Sequence, residues 1–410
     1  MNKKVHENRV VVTGMGIVSC IGNDKQAVVE SLREGRSGIQ YVDEYETLNL
    51  RSRVAGVVEV DAASQIDRKH LRFMGDASAY AYIAMREAME QAGLEETDIS
   101  HPRIGLVAAS SSVSCANILE TADLLRERGI KKVGPYRVPR TMCASVSACL
   151  STAYKIKGIN YSITSACATG THCIGNAVQL IQAGAQDVVF AGGAEDVHWC
   201  LTTMFDAMGA LSSNHNHTPR TASRPYDVTR DGFVIAGGAG MLVIESLEHA
   251  TSRGAPIIAE VVGYGANSDG ADMVSPSGEG AVRCMQMVLE TVDTSIDYVN
   301  AHGTSTQAGD IVELKAIEKI FGDNMPVISS TKGLTGHSLG ATGAQEAIYC
   351  LLMLENDFVV ASANIESLDP AAEGKNIAVE RIDNAGLITV MTNNFGFGGT
   401  NGCLALRRFN

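Results

Sequence analysis

Cys167 stands among small residues, Ser165-Ala166-Cys167-Ala168-Thr169-Gly170, between an extended segment and a helical pattern that puts Ile174, Val178 and Ile181 on one face. That spacing places the sulfur at a helix N-terminus, where free N–H groups and the helix dipole favour a thiolate and small neighbours allow a tight turn with the nucleophile at its apex. A cysteine among alanines is by itself more often a small core residue, and Cys149 and Cys173 are read that way. His302, in Asn300-Ala301-His302-Gly303-Thr304-Ser305-Thr306, and His337, in Lys332-Gly333-Leu334-Thr335-Gly336-His337-Ser338-Leu339-Gly340, each follow a β-branched run and precede a helical pattern. Either imidazole alone reads as structural. Two of them in equivalent strand-end turns, with a cysteine in a third, point to one composite site. Asp310 and Glu313 are spaced as a capping pair for the helix after His302. The helix after His337 is expected to turn Ala344, Ala347, Ile348 and Leu351 inward. The loop Asn394-Phe395-Gly396-Phe397-Gly398-Gly399-Thr400-Asn401 lets backbone approach a ligand, and an N–H there can hold an oxyanion; a plain tight turn is the alternative.

Positioning these turns requires strands, and the sequence predicts them at 10–13, 104–108, 188–191, 257–262, 296–300, 326–329 and 387–392, alternating with helical patterns. Such alternation is the signature of α/β layering, with sites past the carboxyl ends of the strands. A break near residues 251–256 suggests two related halves, 1–255 with the cysteine and 256–410 with both histidines and the glycine loop.

Composition narrows the chemistry. With 410 residues, 45% hydrophobic and only 19% charged, the chain can build a large core, and a net charge of −13 argues against nucleic acid or an anionic membrane as partner. The ten cysteines form no C-x-x-C pair and lie mostly in apolar stretches, which disfavours a disulfide scaffold and suits reduced thiols in the cytoplasm. The start, with Lys3 and Lys4, is not built as a signal peptide, and no apolar run is long enough to span a bilayer.

Three motif matches fail on inspection. Gly336-His337-Ser338-Leu339-Gly340 fits the hydrolase elbow, but no histidine follows the serine. Gly14-Met15-Gly16 suggests a dinucleotide loop, yet Ser19 takes the last glycine's place and no acidic residue ends a second strand. His215 and His217 sit in a polar loop that reads as a solvated turn rather than a metal site.

Together, Ser165-Ala166-Cys167, Asn300-Ala301-His302-Gly303-Thr304-Ser305-Thr306, Lys332 with Gly336-His337-Ser338-Leu339-Gly340, and Phe395-Gly396-Phe397-Gly398-Gly399-Thr400-Asn401 resemble the β-ketoacyl-[acyl carrier protein] synthases of the thiolase-like superfamily. Arg224-Pro225-Tyr226-Asp227 and Arg230-Asp231-Gly232-Phe233 add a fifth signature, and the likeness covers nearly the whole chain. Within the family the pattern is nearest the type I branch, linked to unsaturated fatty acid synthesis; Gly170 departs from it, a serine being expected there. The resemblance implies a five-layered αβαβα sandwich of two duplicated halves, an acyltransferase of type II fatty acid synthesis, and a homodimer in which each subunit borders the other's acyl pocket. It implies Cys167 as nucleophile, His302 and His337 at the enolate, Lys332 as a nearby positive charge, and the N–H groups of Cys167 and Phe397 as oxyanion hole. Phe397 is the implied gate, Thr304 and Thr306 the pantetheine contacts, and no metal, nucleotide or redox cofactor is required. The implied partner is acyl carrier protein, docking on Arg68, Lys69, Arg72, Arg128 and Lys131. Local charge agrees: six basic residues and one acid lie between 126 and 140 of this acidic chain, a run that otherwise reads as a solvated face. Two alternatives stand beside this: a ketosynthase for polyketide or specialised lipid chains, and a non-catalytic subunit that shapes product length.

Overall fold

Residues 8–409 are described by a computed structural model; the charged start at Lys3 and Lys4 lies outside the described residues. The same succession of strand, helix, strand, helix, strand, helix, strand, strand occurs twice. Its first pass is β1 (Val10–Ser19), α1 (Asp76–Gln91), β2 (Ile104–Ser110), α2 (Ser145–Tyr154), β3 (Asn160–Tyr161), α3 (Thr169–Gln182), β4 (Val188–Glu195) and β5 (Gly238–Ser246). The second is β6 (Ala259–Ser268), α4 (Glu279–Leu289), β7 (Tyr298–Asn300), α5 (Gln307–Phe321), β8 (Val327–Ser329), α6 (Thr342–Asn356), β9 (Thr389–Gly396) and β10 (Thr400–Arg408).

Pairing repeats as well. The first sheet runs β3-β2-β4-β5-β1 and the second β8-β7-β9-β10-β6, each parallel among its first three strands and antiparallel beyond them. They touch edge to edge where Val11 and Val12 of β1 pair with Glu260 and Ala259 of β6. Helices α1 and α2 cover one face of the first sheet, α4 and α5 one face of the second, and α3 and α6 lie between the sheets against each other. This is the expected five-layered sandwich of two duplicated halves.

A helix enclosed by two sheets has no face left for water, and residues 342–354 of α6 are all buried, Leu351, Leu352 and Ile348 among them. Each such side chain contributes about 1.5–3 kcal/mol by leaving water. The four inward positions expected from periodicity are therefore part of a helix buried all round. The glycines that mimic a dinucleotide loop lie inside β1 instead: a Cβ on Gly14 would stand 2.1 Å from Ala88 O, and one on Gly16 1.9 Å from Ala84 O, both on α1. Their work is to let α1 lie close on the strand. Strands β5 and β10 were not expected. No helix among the described residues is long and apolar enough to cross a membrane.

Candidate active site

Cys167 ends the β3–α3 connection and His337 lies in the β8–α6 connection, its counterpart in the second half; His302 follows β7 and Phe397 joins β9 to β10. Residues 170 apart in the chain thus meet: Cys167 Sγ lies 3.0 Å from His337 Nε2. The His302 and His337 rings stand edge to face with centroids 5.2 Å apart. Sulfur and both imidazoles offer donor atoms within 4.8 Å of one another. These donor types match zinc's preferences, but the Lys332 ammonium acts on all three groups and opposes a second cation among them.

The turn presenting Cys167 is strained in a specific place. Ala166 has φ 48°, a left-handed conformation uncommon for a residue with a Cβ. Thr169, the first residue of α3, holds it by accepting from Ser165 N at 2.9 Å and donating to Ala166 O at 2.8 Å. Gly170 follows because a Cβ there would come within 2.6 Å of Ala344 N on the facing helix α6. The residue that departs from the expected serine thus lies where α3 packs closely against α6.

Burial pushes the Cys167 thiol up to about 11, against the pull of Lys332 and of hydrogen bonds from the N–H groups of Phe397 and Cys167 itself. At neutral pH the resting sulfur therefore carries its proton, and attack needs an acceptor for it, which His337 Nε2 is placed to be. Burial, with Lys332 second, holds both histidines well below the ordinary imidazole range, so both are neutral. His302 Nδ1 is buried without a hydrogen-bond partner among the described residues.

Lys332 is 1% exposed and pairs with Glu346 Oε1 at 2.5 Å. Glu346 Oε2 in turn accepts from Asn394 Nδ2 at 2.7 Å. Glu313 corrects an expectation. Helix α5 begins at Gln307, so Glu313 does not cap it; its carboxylate accepts from His302 N at 2.9 Å and Gly303 N at 2.8 Å and braces the histidine turn. Asp310 instead accepts from Thr306 N at 3.2 Å and Tyr226 N at 3.1 Å. Arg230 donates to Thr306 O and Gln307 O at 2.9 and 2.7 Å, so the fifth signature buttresses the turn that carries Thr304 and Thr306.

The site opens into a cavity of about 780 Å³. Leu201, Phe205, Met208 and Phe233 make its wall apolar, while Thr304 and Thr306 line it beside His302. Phe397 is 37% exposed, with its ring 6.2 Å from that of Phe205. Arg68, Lys69, Arg72, Arg128 and Lys131 are all exposed and away from the cavity. Two of the basic stretches adjoin, since Arg140 Nε donates to Arg72 O at 3.1 Å. Lys69 reaches Asp67 at 3.2 Å, whereas Arg128 and Lys131 form no ion pair among the described residues. His215 bonds Thr229 O at 3.2 Å in a surface turn, as expected.

Sequence reasoning missed Glu346. Its signal was present: one acidic residue inside the apolar run of α6 must be paired if that run is buried. In the sequence Asn394 reads only as part of the glycine loop, and its bond to Glu346 is a property of the folded chain.

Models described as "Beta-ketoacyl synthase, N-terminal domain" and "Beta-ketoacyl synthase, C-terminal domain" match residues 7–250 and 258–366. The chain is 60% identical over 403 residues to 3-oxoacyl-[acyl-carrier-protein] synthase 1 of Haemophilus influenzae, covering 98% of this chain and 99% of that one. It is 59% identical over 402 residues to the Escherichia coli protein of the same name, with the same coverage. Among solved structures, a β-ketoacyl synthase from Burkholderia phymatum superposes with TM-score 0.92 at 36% identity, over 98% of this chain and all of that one. A type II polyketide ketosynthase in complex with its acyl-carrier protein and bound to the hexaketide gives 0.88 at 29% identity, with the same coverage.

Proposed function

The chain belongs to the β-ketoacyl synthase family, and from that premise we propose that it is a 3-oxoacyl-[acyl-carrier-protein] synthase of the type I branch, elongating saturated and unsaturated chains in type II fatty acid synthesis. The observation carrying this reading is the 3.0 Å contact between Cys167 Sγ and His337 Nε2 with His302 beside it, at the mouth of an apolar cavity. Identity of 60% to a 3-oxoacyl-[acyl-carrier-protein] synthase 1, against 29% to a type II polyketide ketosynthase, favours fatty acyl over polyketide substrates. Both histidines and the cysteine are in place, which a purely product-shaping subunit would not require.

The acyl donor arrives as a thioester on the carrier's phosphopantetheine arm, with Thr304 and Thr306 as contacts. Cys167 Sγ attacks the carbonyl carbon as its proton passes to His337 Nε2. Oxyanion charge falls on the N–H groups of Cys167 and Phe397, the pair that bonds the sulfur at rest. Collapse breaks the pantetheine C–S bond, and the departing sulfur takes up the proton, leaving an acyl-Cys167 thioester whose chain fills the cavity. Phe397, half exposed at the entrance, gates it.

Malonyl-carrier protein then binds. Its carboxylate leaves as carbon dioxide while His302 and His337 face the carbonyl oxygen that becomes enolate, with Lys332 adding positive charge nearby. The carbanion attacks the acyl carbon, the Cys167 C–S bond breaks, and the released thiolate regains a proton; the product is 3-ketoacyl-carrier protein. These steps call on no metal, nucleotide or redox group.

Carrier protein docks on Arg68, Lys69, Arg72, Arg128 and Lys131, whose exposed charges suit an acidic partner. The functional unit is a cytoplasmic homodimer. The helix Cys115–Arg128 buries no residue within its own chain, and the edge strand β3 is exposed, both of which favour a second subunit at that edge. Division at residues 255/256 into N- and C-terminal halves fits the repeated topology and the limits of the two family models.

Mass spectrometry tests the reading directly. Acyl-carrier protein should label Cys167, and added malonyl-carrier protein should release carbon dioxide with 3-ketoacyl product; Cys167→Ser should do neither. Acylation of another cysteine would overturn the assignment.

A further inference from the structure

The two N–H groups of the oxyanion hole belong to separate stretches of backbone, and one side chain reaches both. Cys167 N lies in the turn before α3, and Phe397 N in the hairpin between β9 and β10, where Phe395 pairs with Asn401 and Gly396 with Thr400. The stretches abut: a Cβ on Gly396 would stand 3.1 Å from Cys167 N and 3.2 Å from Ala166 Cβ. His172, in the first turn of α3, spans the seam. Its Nδ1 lies 2.7 Å from Ser165 Oγ, just before the nucleophile, and its Nε2 3.1 Å from Asn401 O, just past Phe397. A carbonyl oxygen can only accept, so Nε2 carries the hydrogen. Burial holds the ring below the ordinary imidazole range, so at neutral pH it is uncharged, Nδ1 keeps a lone pair, and the Ser165 hydroxyl donates to it. Ser165 is then held at every polar atom, its N by Thr169 Oγ1 at 2.9 Å and its O by Ala168 N at 3.1 Å. Such pinning keeps Ala166 at φ 48° between Ser165 and Cys167. The fold also makes room for the ring: a Cβ on Gly402 would come within 3.2 Å of His172 Cδ2 and Nε2, and Tyr264 of β6 meets the ring edge to face at 6.5 Å.

We propose that His172 is a positioning residue for the oxyanion hole, clamping the Cys167 turn to the β9–β10 hairpin so that the N–H groups of Cys167 and Phe397 converge on one oxygen. The kinetic part of this inference rests on the proposed function; the clamp is a property of the resting protein. Its consequence is selective. Acylation of Cys167 and attack on the acyl-enzyme both pass through a tetrahedral oxyanion held by those two N–H groups, whereas decarboxylation puts its charge on the enolate oxygen that faces His302 and His337. Loosening the clamp should therefore slow the first two steps and spare the third. Thr171, the preceding residue, bonds Asn394 Oδ1 of β9, so the hairpin stays attached to α3 without His172 and only its fine placement against the Cys167 turn is freed.

Nitrogen-15 NMR on histidine-labelled protein, with the His172 signals assigned by their loss in His172→Phe, reads the clamp without reference to activity. The expected result at neutral pH is a pyrrole-type Nε2 and a pyridine-type Nδ1 in the unaltered chain; the reverse assignment would overturn the proposal even if the condensing activity stands. Kinetics supply the second arm. His172→Phe should slow acylation of Cys167 by acyl-carrier protein about tenfold, below the roughly 100- to 1,000-fold cost of losing an oxyanion donor outright, with KM unchanged and carbon dioxide release from malonyl-carrier protein as in the parent. Ser165→Ala, which leaves the ring bonded to Asn401, should show the same split, and carries the test should His172→Phe not fold. The double variant should be no slower than either single one, because the clamp needs both ends. Equal loss of acylation and decarboxylation, a loss confined to KM, or losses that add in the double variant would show that His172 does not act through the oxyanion hole.

Discussion

Replacing Lys332 by methionine is the most direct trial of the site's electrostatics. The ammonium and the Glu346 carboxylate are 1% and 2% exposed and 2.5 Å apart. Removing one partner of such a pair strands the other, at a cost of about 3–5 kcal/mol. Glu346 would keep Asn394 Nδ2 at 2.7 Å and Thr331 Oγ1 at 3.4 Å, too little to solvate a charge. Burial already holds this carboxyl above its ordinary 4.5, and Lys332 is the strongest influence pulling it back. In the variant it rises further and protonates in the folded state. A folded value raised above the unfolded one gives stability that is complete below the unfolded value and lost as pH climbs toward the folded one. The variant's deficit against the parent should therefore grow by up to about 1.4 kcal/mol per pH unit once pH passes the parent's own raised Glu346 value, until the stranded-charge limit is reached. Glu313 feels the same lost attraction more weakly, because bonds from Gly303, His302 and Asn393 act on it first. Urea melts of the parent and Lys332→Met at pH 5.5, 7 and 8.5 measure the trend. Adding Glu346→Gln should flatten it and recover most of the stability, while condensation stays lost. A deficit independent of pH, or a double variant as unstable as the single, would refute the reasoning.

Two further outcomes follow from separate parts of the molecule. Reversing Arg128 and Lys131 to glutamate should raise KM for acyl-carrier protein about tenfold, more at low salt, with little change toward a small thioester; equal loss on both substrates would remove the docking role. Gly343→Ala would set a Cβ 2.2 Å from Thr171 Oγ1 and 2.5 Å from Thr171 N. Forcing α3 and α6 apart should cost about 1–3 kcal/mol, read as a lowered Tm and slower acylation of Cys167.

The reacting groups were legible in the sequence because each sits in a small-residue turn between a β-branched run and a helix, a local signal. Their neighbours were not, because burial is a property of the assembled layers. Glu313 has capping spacing, and only the actual start of α5 at Gln307 shows it reaching back to His302 N. Strand β5 opens Gly238-Ala239-Gly240 and brings its branched residues, Val243 and Ile244, only in its second half, yet it lies fully paired between β1 and β4. Strand β10 begins at Thr400, inside what reads as a glycine loop, since Phe397–Gly399 alone turns the chain back from β9. Gly14 and Gly16 carried a phosphate-loop pattern whose cause was helix packing, a distinction that needs α1 in view.

Duplication explains how a contact across 170 residues is held to a hydrogen-bond distance. Counted from the first residue of each central helix, Thr169-Gly170-Thr171 of α3 answers Thr342-Gly343-Ala344 of α6. The glycines are where the helices touch, Gly170 against Ala344 N and Gly343 against Thr171 N, so the two N-termini are fixed relative to each other by backbone rather than by flexible side chains. Cys167 stands two residues before one helix and His337 five before the other, so that close helix approach carries sulfur and imidazole to 3.0 Å. Because the units are alike in fold but not in residue, one half presents an attacking atom and the other its proton acceptor. A rigid backbone junction then does for the pair what a single short motif cannot, since residues adjacent in sequence point apart on a strand or fan around a helix.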